Sequence, residues 1–478
     1  MPATLTDYNH QRQSHWDTLA RQHPAETFFS REYHRRLREI YRLLISPGQN
    51  VLELGCGAGD LLAEVAPARG VGVDFSAEIL QLARKKHPQL NFVEADAHAL
   101  SVEGPFDTII LSDLVNDVWD VQTILERLRP LCHPGTRLIL NSYSRVYQPL
   151  LGLAAGLGLA RRLLPQNWLP PEDITNLLNL AGFEIIRTQR EILLPLPIPL
   201  MRGFFNKGLV KIWPFSPFAW TNVLVARPRP LDAPAETEAR PSVSVIIPAR
   251  NEAGNIEAAF QRIPKMGRHT ELVFVEGHSK DDTYAAIESA IAAHPNWDAR
   301  LFRQSGKGKA DAVRLGFAEA RGEVLMILDA DLTVRPEDLP RFYEALINGK
   351  GEFINGVRLV YPMQEQAMRF LNLLGNKFFS LAFSWLLGQP IKDTLCGTKV
   401  LYRQAYDRIV ANRAYFGEFD PFGDYDLIFG AAKQNLKIVD LPIRYQERTY
   451  GQTNIDRWRH GLLLFRMVGI AALRLKFV

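Results

Sequence analysis

Residues 51–62 read VLELGCGAGDLL, and residues 70–76 read GVGVDFS. The first stretch is an apolar run, Val51–Leu54, that opens through glycines at 55, 57 and 59 into a helical pattern. A strand that turns into a helix through glycines lets the backbone approach a nucleotide closely. The second run, Gly70–Asp74, ends in an acid at the distance where a carboxylate would hold a ribose hydroxyl pair. A dinucleotide fingerprint, GxGxxG, is excluded, because its third glycine would fall on Asp60, and a carboxylate there repels a pyrophosphate. Working outward, Asn91–Ala95, Thr108–Ser112 and Arg137–Asn141 continue the series of short apolar strands, with helical patterns between them and an amphipathic helix at Tyr33–Leu44 ahead of them. This alternation predicts a doubly wound parallel sheet.

The turn, the acid and the motifs after them resemble class I S-adenosylmethionine-dependent methyltransferases over most of residues 45–190, through the family's E/DxGxGxG motif. The resemblance implies that Glu53, Gly55 and Gly57 hold the methionine part of S-adenosylmethionine. It places Asp74 on the ribose, Asp96 (in FVEADAHAL) beside the adenine and Asp113 (in FDTIILSDLVNDV) facing the sulfonium. Methyl transfer from a sulfonium is an in-line displacement that needs alignment more than acid–base help. Asn116, Asp117 and His98 either touch an acceptor or act as capping and solvated residues. Many family members carry a histidine near 116–117, and its replacement by Asn-Asp leaves the methyl acceptor undefined. Cys56, inside the turn, reads as a small filler.

Arg227 to Pro241, RPRPLDAPAETEARP, offers almost nothing to bury and reads as a linker between domains at 1–226 and 242–478. The second domain opens with VSVIIPARNEAGNI at 243–256, with strands expected at Val243–Pro248, Glu271–Glu276 and Val324–Asp329. Its stretch EVLMILDAD ends in Asp329 and Asp331, at i and i+2, where a turning chain can bring two carboxylates onto one hard cation. A divalent ion there would neutralise a nucleoside-diphosphate leaving group, the main demand of glycosyl transfer. The same spacing also occurs in helix N-caps and loops.

The order IPARNE, VFVEGHSKDDT, GKGKADAVRLGFAEARGE and LDADL resembles family 2 glycosyltransferases of the GT-A fold across residues 242–455. Within that family it is similar to the group of dolichyl-phosphate mannose synthases and polyprenyl-phosphate glucosyltransferases. The resemblance implies a nucleotide pocket lined by Pro248, Arg250 and Glu252, with Glu276 and Asp281 on acidic positions of a DDGSxD stretch. Here Glu276-Gly277 replaces the double acid and His278 replaces the glycine, which leaves the base specificity open. Gly306, Lys307 and Lys309 belong to the loop before the diphosphate region, where the lysines either screen phosphates or are solvated. Arg358 and Arg369 fall where related enzymes carry arginines beside an acceptor phosphate, and Asp393 matches a D-x-x-CG-x-K/R segment. Asp424 and Asp426 match an acidic pair ahead of a helix. Arg448, Tyr450, Gly451 and Thr453 match the RxxGxS segment that caps the sugar site, with Asn454 where the family usually has lysine. Asp329 and Asp331 would hold Mg²⁺ or Mn²⁺. A hydroxyl acceptor would need a carboxylate base, Asp424 or Asp426. A lipid phosphate would need only cationic guidance from Arg358, Arg369 and Arg448. Both sets are present, so the acceptor stays open.

The whole chain of 478 residues is 47% hydrophobic and 23% charged, values that exclude bulk disorder. A net charge of +4 without a long Lys/Arg run argues against a nucleic-acid partner. Three distant cysteines, Cys56, Cys132 and Cys396, exclude a disulfide framework or zinc knuckle and suit a reducing cytoplasm. The N-terminus lacks the apolar region of a signal peptide. The longest uncharged apolar stretches, Val146–Ala160, Ile212–Ala226 and Phe378–Ile391, fall short of the roughly 18–20 residues of a membrane span. In RWRHGLLLFRMVGIAALRLKFV, a helical wheel brings Arg459, Arg466 and Arg474 to one side of an apolar surface. That suits either an interfacial helix with snorkelling arginines or a buried packing helix. Phe378–Leu387 and Leu193–Trp220 are further candidate contact surfaces. The expectation is a bifunctional α/β transferase with two Rossmann-like domains, cytoplasmic and peripheral at the inner face of the cell membrane. It would use a nucleotide-sugar donor and a lipid-phosphate or glycan acceptor. The alternative is a glycosyltransferase whose N-terminal domain only binds cofactor or serves as a scaffold.

Overall fold

The computed structural model describes residues 4–22, 28–156, 164–196, 198, 201–230, 239–358, 370–416, 423–444, 446, 448, 450 and 457–478. The chain divides into two compact units, Met1–Arg229 with Phe477–Val478, and Pro230–Lys476.

The first unit is built on strands β1 (Asn50–Leu54), β2 (Arg69–Asp74), β3 (Asn91–Glu94), β4 (Phe106–Leu111), β5 (Cys132–Tyr143), β6 (Phe183–Glu191) and β7 (Thr221–Pro228). They lie in the order β3-β2-β1-β4-β5-β7-β6. β1 pairs in parallel with β2 on one side and β4 on the other. The winding therefore reverses there, and the crevice at the carboxyl ends of these strands is where such sheets bind ligands. The parallel strands are buried on both faces, which is why they read as continuous apolar runs. One correction follows: the sheet is mixed, since β7 runs antiparallel between β5 and β6. A second concerns the linker, whose first residues, Arg227 and Pro228, complete β7. Arg227 is 2% exposed and pairs with Glu184 on β6 at 2.6 Å, a partner that local composition cannot reveal.

The second unit has β8 (Val243–Ala249), β9 (Thr270–Glu276), β10 (Asp298–Arg303), β11 (Val324–Ile327), β12 (Phe353–Val357), β13 (Lys399–Tyr402) and β14 (Ile438–Pro442) in the order β10-β9-β8-β11-β13-β12-β14. β13 is antiparallel to both neighbours. Along β8, Val243, Val245 and Ile247 enter one core and Ile246 the other, the two-residue period of a sheet covered on both sides.

Among the described residues, no helix is long and apolar enough to cross a membrane. The helices Phe370–Leu387 and Arg457–Ala471 pack together, with Phe379 and Phe465 at 5.1 Å. The last helix packs against the second unit's core on one face. Leu464, Met467 and Ala471 face the core, while Leu462 and Phe465 are exposed.

Candidate active sites

In the first unit, β1 delivers Glu53 and then the glycine turn. Gly55 and Gly57 have φ of +68° and +51°, a region that side-chain-bearing residues rarely adopt. The Gly57 amide donates to Asp74 at 3.0 Å, and the Ser76 amide donates to its other oxygen at 3.0 Å. Asp74 is thus fixed at the end of β2, with its carboxyl raised by burial against the pull of those amides. Glu53 is buried, and burial, with the Asp74 and Asp60 charges, pushes its carboxyl well up. Among the described residues its Oε2 has no hydrogen-bond partner. Asp96 stands at a cavity of about 460 Å³ lined also by Asn9, His10, Gln13, Phe75 and Glu94. Asp113, at φ +55° beyond β4, accepts from Tyr33 Oη at 2.8 Å and from Asn141, and burial pushes its carboxyl up to about 6.

The open acceptor candidates have structural partners. Asn116 donates to the Asn167 carbonyl at 2.8 Å and accepts from the Tyr143 amide. Asp117 pairs with Arg12 at 2.7 Å, and His98 bridges Asp96 and the Asp120 amide. Cys56 is buried, in keeping with a filler, and burial drives its thiol far up.

In the second unit, Asp329 and Asp331 follow β11. Asp329 pairs with Lys309 at 2.6 Å. Desolvation opposes its charge, but the Lys309 ammonium, with Lys399 and Arg358 in range, holds its carboxyl below the usual value. Gly397 packs so closely that a Cβ there would lie 2.0 Å from Asp329 Oδ2. Asp331 accepts from Thr333 and from Arg448 Nη2 at 2.7 Å, while Arg448 Nη1 reaches Glu252 at 3.1 Å. Burial pushes Glu252 up to about 7, against the pull of Arg448. Tyr450 lies over Gly254 and donates to Asp281 at 3.4 Å. Glu276 ends β9 and accepts from the Ser279 amide, whereas Arg250 and Lys307 are exposed and Pro248 is half-buried. His278 takes a left-handed conformation, φ +56°, a region that favours glycine, and its Nε2 lies 3.1 Å from the Gly306 carbonyl.

Residues 244–410 match the family description "Glycosyl transferase family 2", and residues 45–169 match "Methyltransferase domain". The chain joins a methyltransferase domain to a family 2 glycosyltransferase domain. The glycosyltransferase domain is 31% identical over 218 residues to a dolichol-phosphate mannosyltransferase of Pyrococcus furiosus, covering 45% of this chain and 59% of that protein. It is 25% identical over 230 residues to an undecaprenyl-phosphate 4-deoxy-4-formamido-L-arabinose transferase of Pseudomonas aeruginosa, covering 47% and 64%. The chain therefore spans under two thirds of either relative's length. The methyltransferase domain resembles the methyltransferase in a Haloferax volcanii complex with the Trm112 activator, at 18% identity, 45% and 97% coverage and TM-score 0.35.

Not all the expected residues meet. In the glycosyltransferase domain, Asp424 pairs with the fully buried Lys399 at 3.0 Å and lies in electrostatic range of Lys309. Asp426 instead pairs with Arg413 at 2.9 Å and Arg314 at 3.3 Å, in a separate small cleft with Tyr406 and Phe317. Arg358 is gripped by both oxygens of buried Asp393, at 2.7 and 2.9 Å. Arg369, Gly451, Thr453 and Asn454 lie outside the described residues. Lys399 was legible as the last residue of the D-x-x-CG-x-K/R segment. In the methyltransferase domain, the helix Leu5–Gln22 was missed, although Asn9 donates to Asp96 at 2.6 Å and Gln13 to the Phe75 carbonyl at 2.8 Å. Only their i, i+4 spacing hinted at a shared face.

Among the described residues, no three or more His, Cys, Asp or Glu side chains gather to hold a metal. Two carboxylates nonetheless suit a cation that takes its other ligands from a diphosphate and water, and the bare Gly397 leaves Asp329 the room it needs. S-adenosylmethionine likewise fits the partnerless, buried Glu53 oxygen and the cavity beside Asp96.

Proposed function

We propose that the chain methylates with S-adenosylmethionine through its first domain and, through its second, transfers a sugar with inversion from a nucleotide diphosphate to a polyprenyl phosphate. The observation that supports the second activity most is the convergence of Asp329, Asp331, Lys309, Arg448 and Glu252 beyond β8 and β11. Asp329 and Asp331 would hold Mg²⁺ or Mn²⁺, which when bound supplies positive charge to the departing diphosphate. Arg448, now shared between two carboxylates, would turn a charge-assisted hydrogen bond to the diphosphate. Arg358, oriented by Asp393, would guide the acceptor phosphate, which is already anionic and needs no base. The names of the two relatives support that acceptor.

In the first domain Asp74, fixed by two amides, would take the ribose hydroxyls, and Glu53 would take the ammonium of the methionine part. Asp113, Tyr33 and Asn141 would frame the acceptor approach for in-line displacement.

The decisive experiment is turnover of a panel of nucleotide sugars with polyprenyl phosphate, read as released UDP or GDP, with and without Mg²⁺ or Mn²⁺. In the same assay Asp331→Asn should cost on the order of 10²–10³ in turnover, as loss of part of an electrostatic clamp does. Full speed for that variant in chelator would overturn the assignment. Calorimetric titration with S-adenosylmethionine tests the first domain, and no binding would favour a scaffold.

A further inference from the structure

Between β6 and β7 the chain makes an insertion, Ile192–Trp220, and no aspartate or glutamate occurs from Ile192 through Leu231. Glu191 and Tyr143 both register with Thr221. The insertion therefore leaves the sheet beside the carboxyl end of β5, the edge at which β1 opens into the glycine turn and β4 leads to Asp113.

The described part of this insertion is held from within. The buried Asn206 donates to the Leu194 carbonyl at 2.7 Å and accepts from the Leu193 and Leu194 amides. Lys211 is buried against Glu191, and Arg202 pairs with Glu32 at 2.9 Å. Trp220 stacks on Tyr147 at 3.9 Å, which ties in the turn bearing the exposed Arg145. With its polar groups anchored inward, the segment turns large apolar side chains outward. Trp213 is 80% exposed and Phe204 61%, and Ile212, Phe215 and Phe218 are exposed beside them. An apolar surface of this kind marks an interaction site. Exposed Trp and Phe in a segment that carries no acid of its own, accompanied by Lys207 and the exposed Arg145, match the headgroup level of an anionic bilayer better than a protein surface.

We propose that the methyltransferase domain docks through this insertion on a bilayer surface carrying anionic lipid, with the cofactor edge of its sheet toward the headgroups. The methyl acceptor is then met at the membrane. This deepens the reading of the domain as a methyltransferase and rests on it, and titration with S-adenosylmethionine in the absence of vesicles checks that reading by itself.

The test is amide hydrogen exchange on the full chain with phosphatidylcholine vesicles, with and without phosphatidylglycerol. Exchange in residues 201–220 should slow on the anionic vesicles by about tenfold, less in high salt, as charge-assisted interfacial binding requires. The double variant Phe204→Ser, Trp213→Ser should lose that protection while still binding S-adenosylmethionine without vesicles. Two results would overturn the proposal. One is unchanged exchange in residues 201–220 on either vesicle. The other is protection that arises without vesicles and grows with protein concentration, which would make the surface a contact between copies.

Discussion

Asp424 and Asp426 stand two residues apart on one helix, about 200° around its axis, and so enter different environments. Asp424 joins Lys399 beside the donor carboxylates, while Asp426 serves two arginines elsewhere. Asp424→Asn should therefore lower glycosyl turnover by about 10²-fold through the cluster's charge. Asp426→Asn should leave turnover within about twofold and cost about 2 kcal/mol of stability, the usual order for stranded charged partners. Steady-state rates and denaturant midpoints on the two variants separate these outcomes, and the reverse pattern would reassign the pair. A second residue-scale prediction concerns Glu271. Burial alone would raise its carboxyl, but Ser244, Arg321 and Arg300 hydrogen-bond it down to about 2. From its ordinary value of 4.5 down to 2, the unfolded chain takes the proton first, so stability falls as pH falls through that window. The loss should approach about 3 kcal/mol. Glu271→Gln should flatten acid unfolding of the second unit between those values.

At the scale of elements, the helix Leu5–Gln22 lines the cavity of the first candidate site. Its sequence is polar on most faces and gives little sign of packing, yet Asn9 and Gln13 reach Asp96 and the Phe75 carbonyl. A carboxylate at position 9 would face Asp96 directly. Asn9→Asp should weaken S-adenosylmethionine binding about tenfold, the 1.4 kcal/mol expected of one adverse charge pair at partial burial. Calorimetric titration gives the number, and unchanged affinity would remove this helix from the site. The elements foreseen from sequence were the buried parallel strands, whose apolar runs are long enough to read. Those missed, β6, β7, β10 and β12–β14, owe their place to partners distant in the chain, as Arg227 on β7 does to Glu184.

At the scale of the whole molecule, two sheets with separate hydrophobic cores share one chain. S-adenosylmethionine should raise the melting temperature of one unfolding transition and leave the other in place, because a ligand stabilises only the unit that binds it. Asp74→Ala should abolish that shift while nucleotide-sugar turnover continues. A well-folded Asp74→Ala protein without glycosyl transfer would show that the two activities are coupled.

The sequence by itself determined the two α/β domains, the glycine turn with Asp74, and the carboxylate pair Asp329 and Asp331. These are local signals, set by apolar periodicity, by glycine's access to positive φ and by fixed spacing at strand ends. Only the tertiary structure decided which of those residues meet. It joined Arg448 to Asp331 across 117 positions, parted Asp424 from Asp426, and left Glu53 buried with one oxygen unpaired among the described residues. It also turned an acid-free apolar segment outward at the cofactor edge. Side-chain partners, burial and the charge each group faces depend on residues far apart in the chain, and no local pattern encodes that distance.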